Sequence, residues 1–198
     1  MKIIGITGGV GAGKSTVLDI LKNACNCFII MADEAAREIE KKGQSGYEEL
    51  VGLLGSDILD KDGSIDRKRM AAIIFKEDNR ELLGKVNAII HPRVKEYILS
   101  LIEEKRKEGR IDYFFIEAAL LIEDGYKSIC QELWYIYASE DVRISRLKES
   151  RGYSDKKIRE IMNSQCDEET FRKYCDRVID NNSDILTVKN RIFALLEQ

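Results

Sequence analysis

A run of glycines ending in a lysine and two hydroxyl residues is a phosphate-binding spelling, and residues 8–16 have it: Gly-Gly-Val-Gly-Ala-Gly-Lys-Ser-Thr. Gly8, Gly13, Lys14 and Ser15 satisfy G-x-x-x-x-G-K-S/T. Glycine lets the backbone curl tightly enough for its N–H groups to face a phosphate chain. Residues Gly11, Ala12, Gly13, Lys14, Ser15 and Thr16 are therefore the expected donor-binding stretch. Lys14 is placed to reach the β- and γ-phosphates, and the Ser15 hydroxyl to ligate Mg²⁺. A helix starting here adds the positive end of its dipole. The dinucleotide fingerprint does not fit, because its third glycine would fall on Lys14. The chemistry is that of a nucleoside triphosphate site.

Phosphoryl transfer to an alcohol also needs a carboxylate that can take the hydroxyl proton. Asp33, just after the apolar run 27–31, is placed for that role; an N-cap for a helix starting at Glu34 is its structural alternative. Glu117 ends another apolar run and either orients Mg²⁺ or the acceptor or is a plain strand-end carboxylate. Glu123 lies six residues on. Arg143 and Arg146 sit on a charged helix followed by a loop at 151–154, which reads either as a lid closing over ATP or as a solvated face. His91-Pro92-Arg93 joins the only histidine and the only proline to an arginine. Proline suits the first turn of a helix, so this segment reads as a helix start, either anion-binding or simply capped.

These side chains need a scaffold that brings them together. Apolar runs at 2–7, 27–31, 113–117, 133–138 and 177–180 predict five strands. Helical patterns cover 14–23, 34–42, 46–54, 67–90, 92–108, 141–149, 155–165 and 185–196. Asp60 to Ser64 is a predicted turn, and Gly109 ends a helix. Uniformly apolar strands alternating with helices predict an α/β fold, a parallel sheet covered on both faces. Ligands in such sheets bind beyond the carboxyl ends of the strands, where Asp33 and Glu117 fall.

The 198 residues suit one domain with a small insertion. A net charge of −3 leaves no excess of cations to displace counterions, which argues against general nucleic-acid binding. No apolar run has membrane-spanning length and no signal peptide opens the chain, so a cytoplasmic location without a membrane partner is expected. The five cysteines are odd in number and irregularly spaced, as structural thiols in a reducing compartment would be.

Taken together, the motifs resemble the dephospho-CoA kinase family over nearly the whole chain. Ile4 to Ser15 is similar to that family's opening, and Met31-Ala-Asp-Glu-Ala-Ala-Arg37 to its D-A-D-x-x-A-R segment. Gly63 to Arg67, Phe75, Asn87 to Arg93, Ser164-Gln165 and Val178 to Asn181 follow in order. The resemblance implies a three-layer P-loop kinase fold, with core segments 1–44 and 109–198. It also implies a helical CoA-side insertion at about 45–108 and a lid at about 143–165. It implies that ATP, with Mg²⁺, phosphorylates the ribose 3′-hydroxyl of dephospho-CoA. Asp33 would orient and deprotonate that hydroxyl. Arg37, His91 and Arg93 would face the acceptor, Arg146 would come from the lid onto ATP, and Asn181 would lie by the adenine. Two places depart from the family's pattern. The segment 117–123 keeps both acids but lacks a proline, and Ser150-Arg151 stands where Arg followed by an acid is usual. A nucleoside or nucleotide kinase of the same architecture is the alternative. A GTPase switch is disfavoured, since N-K-x-D is absent. A monomer or weak homo-oligomer is expected.

Overall fold

A computed structural model describes residues 1–76 and 79–197. The elements in chain order are β1 (Lys2–Thr7), α1 (Lys14–Ala24), β2 (Cys27–Met31), α2 (Ala32–Ile39), α3 (Ser45–Leu54), α4 (Arg67–Ile74) and α5 (Arg80–Glu108). They continue with β3 (Tyr113–Glu117), β4 (Glu132–Tyr137), α6 (Glu140–Arg151), α7 (Asp155–Asn163), α8 (Glu168–Tyr174), β5 (Arg177–Asp180) and α9 (Ile185–Leu196). The strands form one five-stranded sheet in the order β2-β3-β1-β4-β5. The pairs β1–β3, β1–β4 and β4–β5 are all parallel.

The chain divides into two compact units, Met1–Ile30 with Gly109–Gln198, and Met31–Glu108. In the first, β1 lies at the sheet centre, with Ile4 beside both Phe115 and Glu132. Its residues are buried in succession from Ile3 to Thr7. Successive side chains point to opposite faces, so unbroken burial means both faces are covered. The core holds Ile4, Ile6, Leu21, Phe114, Phe115, Ile116 and Trp134. The second unit is helical, with Leu50, Ile58, Met70, Ile74 and Val86 packed as its own cluster. Its boundary lies upstream of the expected residue 45, because α2 packs on α5 and α3 and goes with them.

Three local expectations change. The helix start expected at Pro92 is absent: α5 runs through it as one helix of 29 residues. Proline cannot donate to the carbonyl four residues back. Here Ala88 and Pro92 are both exposed, so that carbonyl lies on the side water can reach. The helix expected over 67–90 is two helices, and residues 77–78 lie outside the described residues. Finally, α8 has no expected counterpart. Asp167 caps it by accepting from the Thr170 N–H, and only Phe171 along it is buried, too few apolar positions to show a period.

Candidate active site

The turn between β1 and α1 has Gly11 at φ 79° and Gly13 at φ 84°, both in the left-handed region. Space demands glycine as strictly as conformation does: a Cβ on Gly13 would lie 2.3 Å from Asn181 Nδ2. The loop carbonyls are tied from behind by residues far along the chain. Asn181 Nδ2 donates to Ala12 O at 2.7 Å, joined by Arg146 Nη1 at 3.3 Å. Arg143 Nε donates to Val10 O at 2.8 Å, and the Val10 N–H donates to Gln165 Oε1 at 2.8 Å. Arg146 Nη2 also donates to Asn181 O at 2.8 Å, and the Asn181 N–H to Tyr137 O at 2.7 Å. Fixing these carbonyls on one side leaves loop amides for the other, the arrangement an anion needs. Burial pushes the Arg143 guanidinium below its usual value, yet α6 places it here because its proton binds a carbonyl.

Lys14 Nζ donates to Gly8 O at 2.9 Å and stands 3.5 Å from Glu117 Oε1, both side chains being mostly buried. A cation thus sits at the loop with a carboxylate from the end of β3 beside it. Ser15, the second residue of α1, is exposed, and its hydroxyl makes no hydrogen bond among the described residues. Its hydroxyl is a hard oxygen suited to Mg²⁺. No cluster of three or more His, Cys, Asp or Glu that could hold a metal occurs among the described residues.

In the second unit, α2 begins at Ala32 with Met31 as N-cap, so Asp33 lies inside the first turn and is not the cap. Asp33 and Arg37 are exposed, four residues apart on one face. His91 is half-buried on α5. Arg93 donates through Nε and Nη2 to Glu49 at 2.9 and 2.7 Å, and through Nη1 to Glu96 at 2.7 Å. With α5 continuous through Pro92, no helix N-terminus offers amides at this segment. Any role in holding anions falls to the side chains.

The sequence model of dephospho-CoA kinase matches residues 2–187. The chain belongs to the dephospho-CoA kinase family. A dephospho-CoA kinase of Carboxydothermus hydrogenoformans is 35% identical over 198 residues, spanning 100% of this chain and 94% of that one. The Geobacillus kaustophilus dephospho-CoA kinase is 33% identical, spanning 98% and 95%. A Thermus thermophilus crystal structure superposes with TM-score 0.80 at 26% identity, covering 99% and 96% of the two chains. An Acinetobacter baumannii shikimate kinase, at 15% identity and TM-score 0.51 over 100% and 93%, shares the fold. The chain is a P-loop kinase.

Where the usual dephospho-CoA kinase pattern has Arg, Ser150 is exposed on α6 and bonds back to its own helix, donating from Oγ to Arg146 O at 2.6 Å. Arg151 ends α6 rather than lying in a loop, and its guanidinium carbon is 5.8 Å from the Tyr153 ring centre. Glu123 Oε1 accepts from Cys166 Sγ at 2.9 Å. Burial, with this carboxylate beside it, pushes the thiol up to about 11. In sequence Arg143 stands out only as a cation of a lid or solvated helix, and Gln165 only within a family segment. Their role as braces of the loop has no local signal, since each contact spans more than 130 residues in sequence.

Proposed function

We propose a division of labour for the reaction of this family, ATP-dependent phosphorylation of the ribose 3′-hydroxyl of dephospho-CoA, the last step of coenzyme A biosynthesis. The amides of Gly11 to Thr16 hold the donor phosphates, and Lys14 neutralises the β- and γ-oxygens. Ser15 would ligate Mg²⁺, which would neutralise phosphate charge when bound. Arg146 puts positive charge at the turn where negative charge grows. Its support is proximity: a Cβ on Gly13 would lie 3.3 Å from Arg146 Nη1. Asn181 serves ATP through the loop, because its side chain is committed to Ala12 O.

On the acceptor side, Asp33 takes the hydroxyl proton as the oxygen attacks phosphorus. The observation that carries this is its freedom: Asp33 is exposed, ends no helix, and forms no ion pair among the described residues. Arg37 and His91 meet the acceptor. Arg93 holds the face on which His91 sits, as its two carboxylate partners suggest. The test supplies Mg·ATP and dephospho-CoA and follows ADP and CoA. ATP consumption no faster than without acceptor refutes the assignment. A panel of nucleosides and nucleotides beside dephospho-CoA tests the sister-kinase alternative.

A further inference from the structure

Glu40 is only 5% exposed, an uncommon place for a carboxylate. As the C-cap of α2, still in helical conformation, it follows Asp33 and Arg37 at i, i+4 and i+7, so the three line one side of the helix over about 10 Å at helical rise. Its partner comes from another helix. Arg67 at the start of α4 approaches side-on, with Nε 3.0 Å from Oε2 and Nη2 3.4 Å from Oε1. That leaves both Nη1 protons without a partner among the described residues, on a side chain that is nearly half exposed. Burial pushes the Glu40 carboxyl up, and the charges of Arg67 and then Arg37 pull it back. A buried ion pair is a poor way to gain stability, since desolvation offsets most of the attraction. What it does well is fix a guanidinium in one orientation.

We infer that Glu40 is a positioning residue for the acceptor. Its buried carboxylate fixes Arg67 at the far end of the stripe that carries Asp33 and Arg37. Two arginines then meet the 5′-pyrophosphate of the nucleotide whose 3′-hydroxyl Asp33 addresses. This rests on the acceptor-side reading of Asp33 and Arg37. The chemical logic is that hydroxyl and pyrophosphate lie at opposite ends of one ribose, and the stripe offers a base at one end and cations at the other. A purely structural Glu40–Arg67 tie between α2 and α4 would predict altered melting and unaltered substrate affinity.

The test is steady-state kinetics with each substrate varied, on wild type, Glu40→Gln, Arg67→Lys and the double variant. Glu40→Gln is expected to raise the KM for dephospho-CoA roughly tenfold, the worth of one charge-assisted hydrogen bond. The KM for ATP and kcat should move less than about twofold. Arg67→Lys keeps the charge but loses the fork, and should act in the same direction. The double variant should be no worse than Arg67→Lys alone, because Glu40 works through Arg67. A folded Glu40→Gln with unchanged KM for dephospho-CoA, or additive effects in the double variant, overturns the inference. Should Glu40→Gln not fold, the surface-facing Arg67→Lys decides by the same criterion. Calorimetric titration of dephospho-CoA into wild type separates the two levels of the argument. If wild type neither binds nor phosphorylates it, the acceptor reading and the inference fall together. If wild type does both and the variants match it, only the inference falls.

Discussion

Asn181→Ala is the sharpest probe of how the phosphate loop is held. Asn181 is 4% exposed and Ala12, whose carbonyl it serves, is 1% exposed. Truncation removes the 2.7 Å hydrogen bond and leaves Ala12 O with Arg146 Nη1 at 3.3 Å. An orphaned buried carbonyl costs roughly 1–3 kcal/mol; with Arg146 as a long second donor the lower half applies, about 1.5 kcal/mol. For a chain of this size that is a fall in Tm of about 3–6 °C. The backbone carbonyl of Asn181 survives, so Arg146 Nη2 keeps its 2.8 Å anchor and the fold should persist. The loop then has to be ordered by ATP itself, which should weaken ATP roughly tenfold. The assay is thermal unfolding with and without Mg·ATP, together with the KM for ATP. Asn181→Asp sharpens it by placing an acceptor against Ala12 O, and should be worse than alanine in both readouts. If Asn181→Ala melts within about 1 °C of wild type and binds ATP normally, the brace is not what orders the loop.

Asp33→Asn should lower kcat by about 10²–10⁴ while ATP binding survives, checked by turnover and by nucleotide titration; near-normal turnover removes it as base. Gly13→Ala should abolish ATP binding, because φ 84° and a 2.3 Å approach to Asn181 oppose it together. Gly109→Ala, at φ 61° with nothing within 4 Å, pays only left-handed strain and should lose about 1 kcal/mol with ATP binding intact. Glu40 predicts a pH dependence with a definite sign. Its folded value is raised above the ordinary 4.5, so the folded state holds that proton more tightly than the unfolded. The stability this adds is fully present below pH 4.5 and lost as pH rises through the folded value. The Tm of wild type minus that of Glu40→Gln should therefore fall across the weakly acidic range and level off above it. A difference independent of pH contradicts the assignment.

The loop at residues 8–16, the five strands and the α/β class were legible in the sequence because each depends on neighbours. Glycines that permit positive φ, apolar runs long enough for a doubly covered strand, and a lysine beside a hydroxyl are all written within a few residues of one another. The ordered motifs from Asp33 to Asn181 carried the family as well. Pro92 shows the limit of a local rule. Proline favours a helix start, yet exposure of Pro92 and Ala88 lets α5 continue, and exposure is settled by packing. The brace on the loop went unread for a related reason. Asn181 and Ala12 are 169 residues apart, and no periodicity links them until the parallel sheet sets β5 two strands from β1. Glu40 belongs to the same class. In the sequence it is one more charge on a polar helix; only the packing of the second unit buries its carboxylate and brings Arg67 against it. Residue types and short spacings determined the donor chemistry and the fold class. Tertiary structure decided which polar groups lost water and which partners replaced it, since desolvation is a property of the packed chain and not of any segment of it.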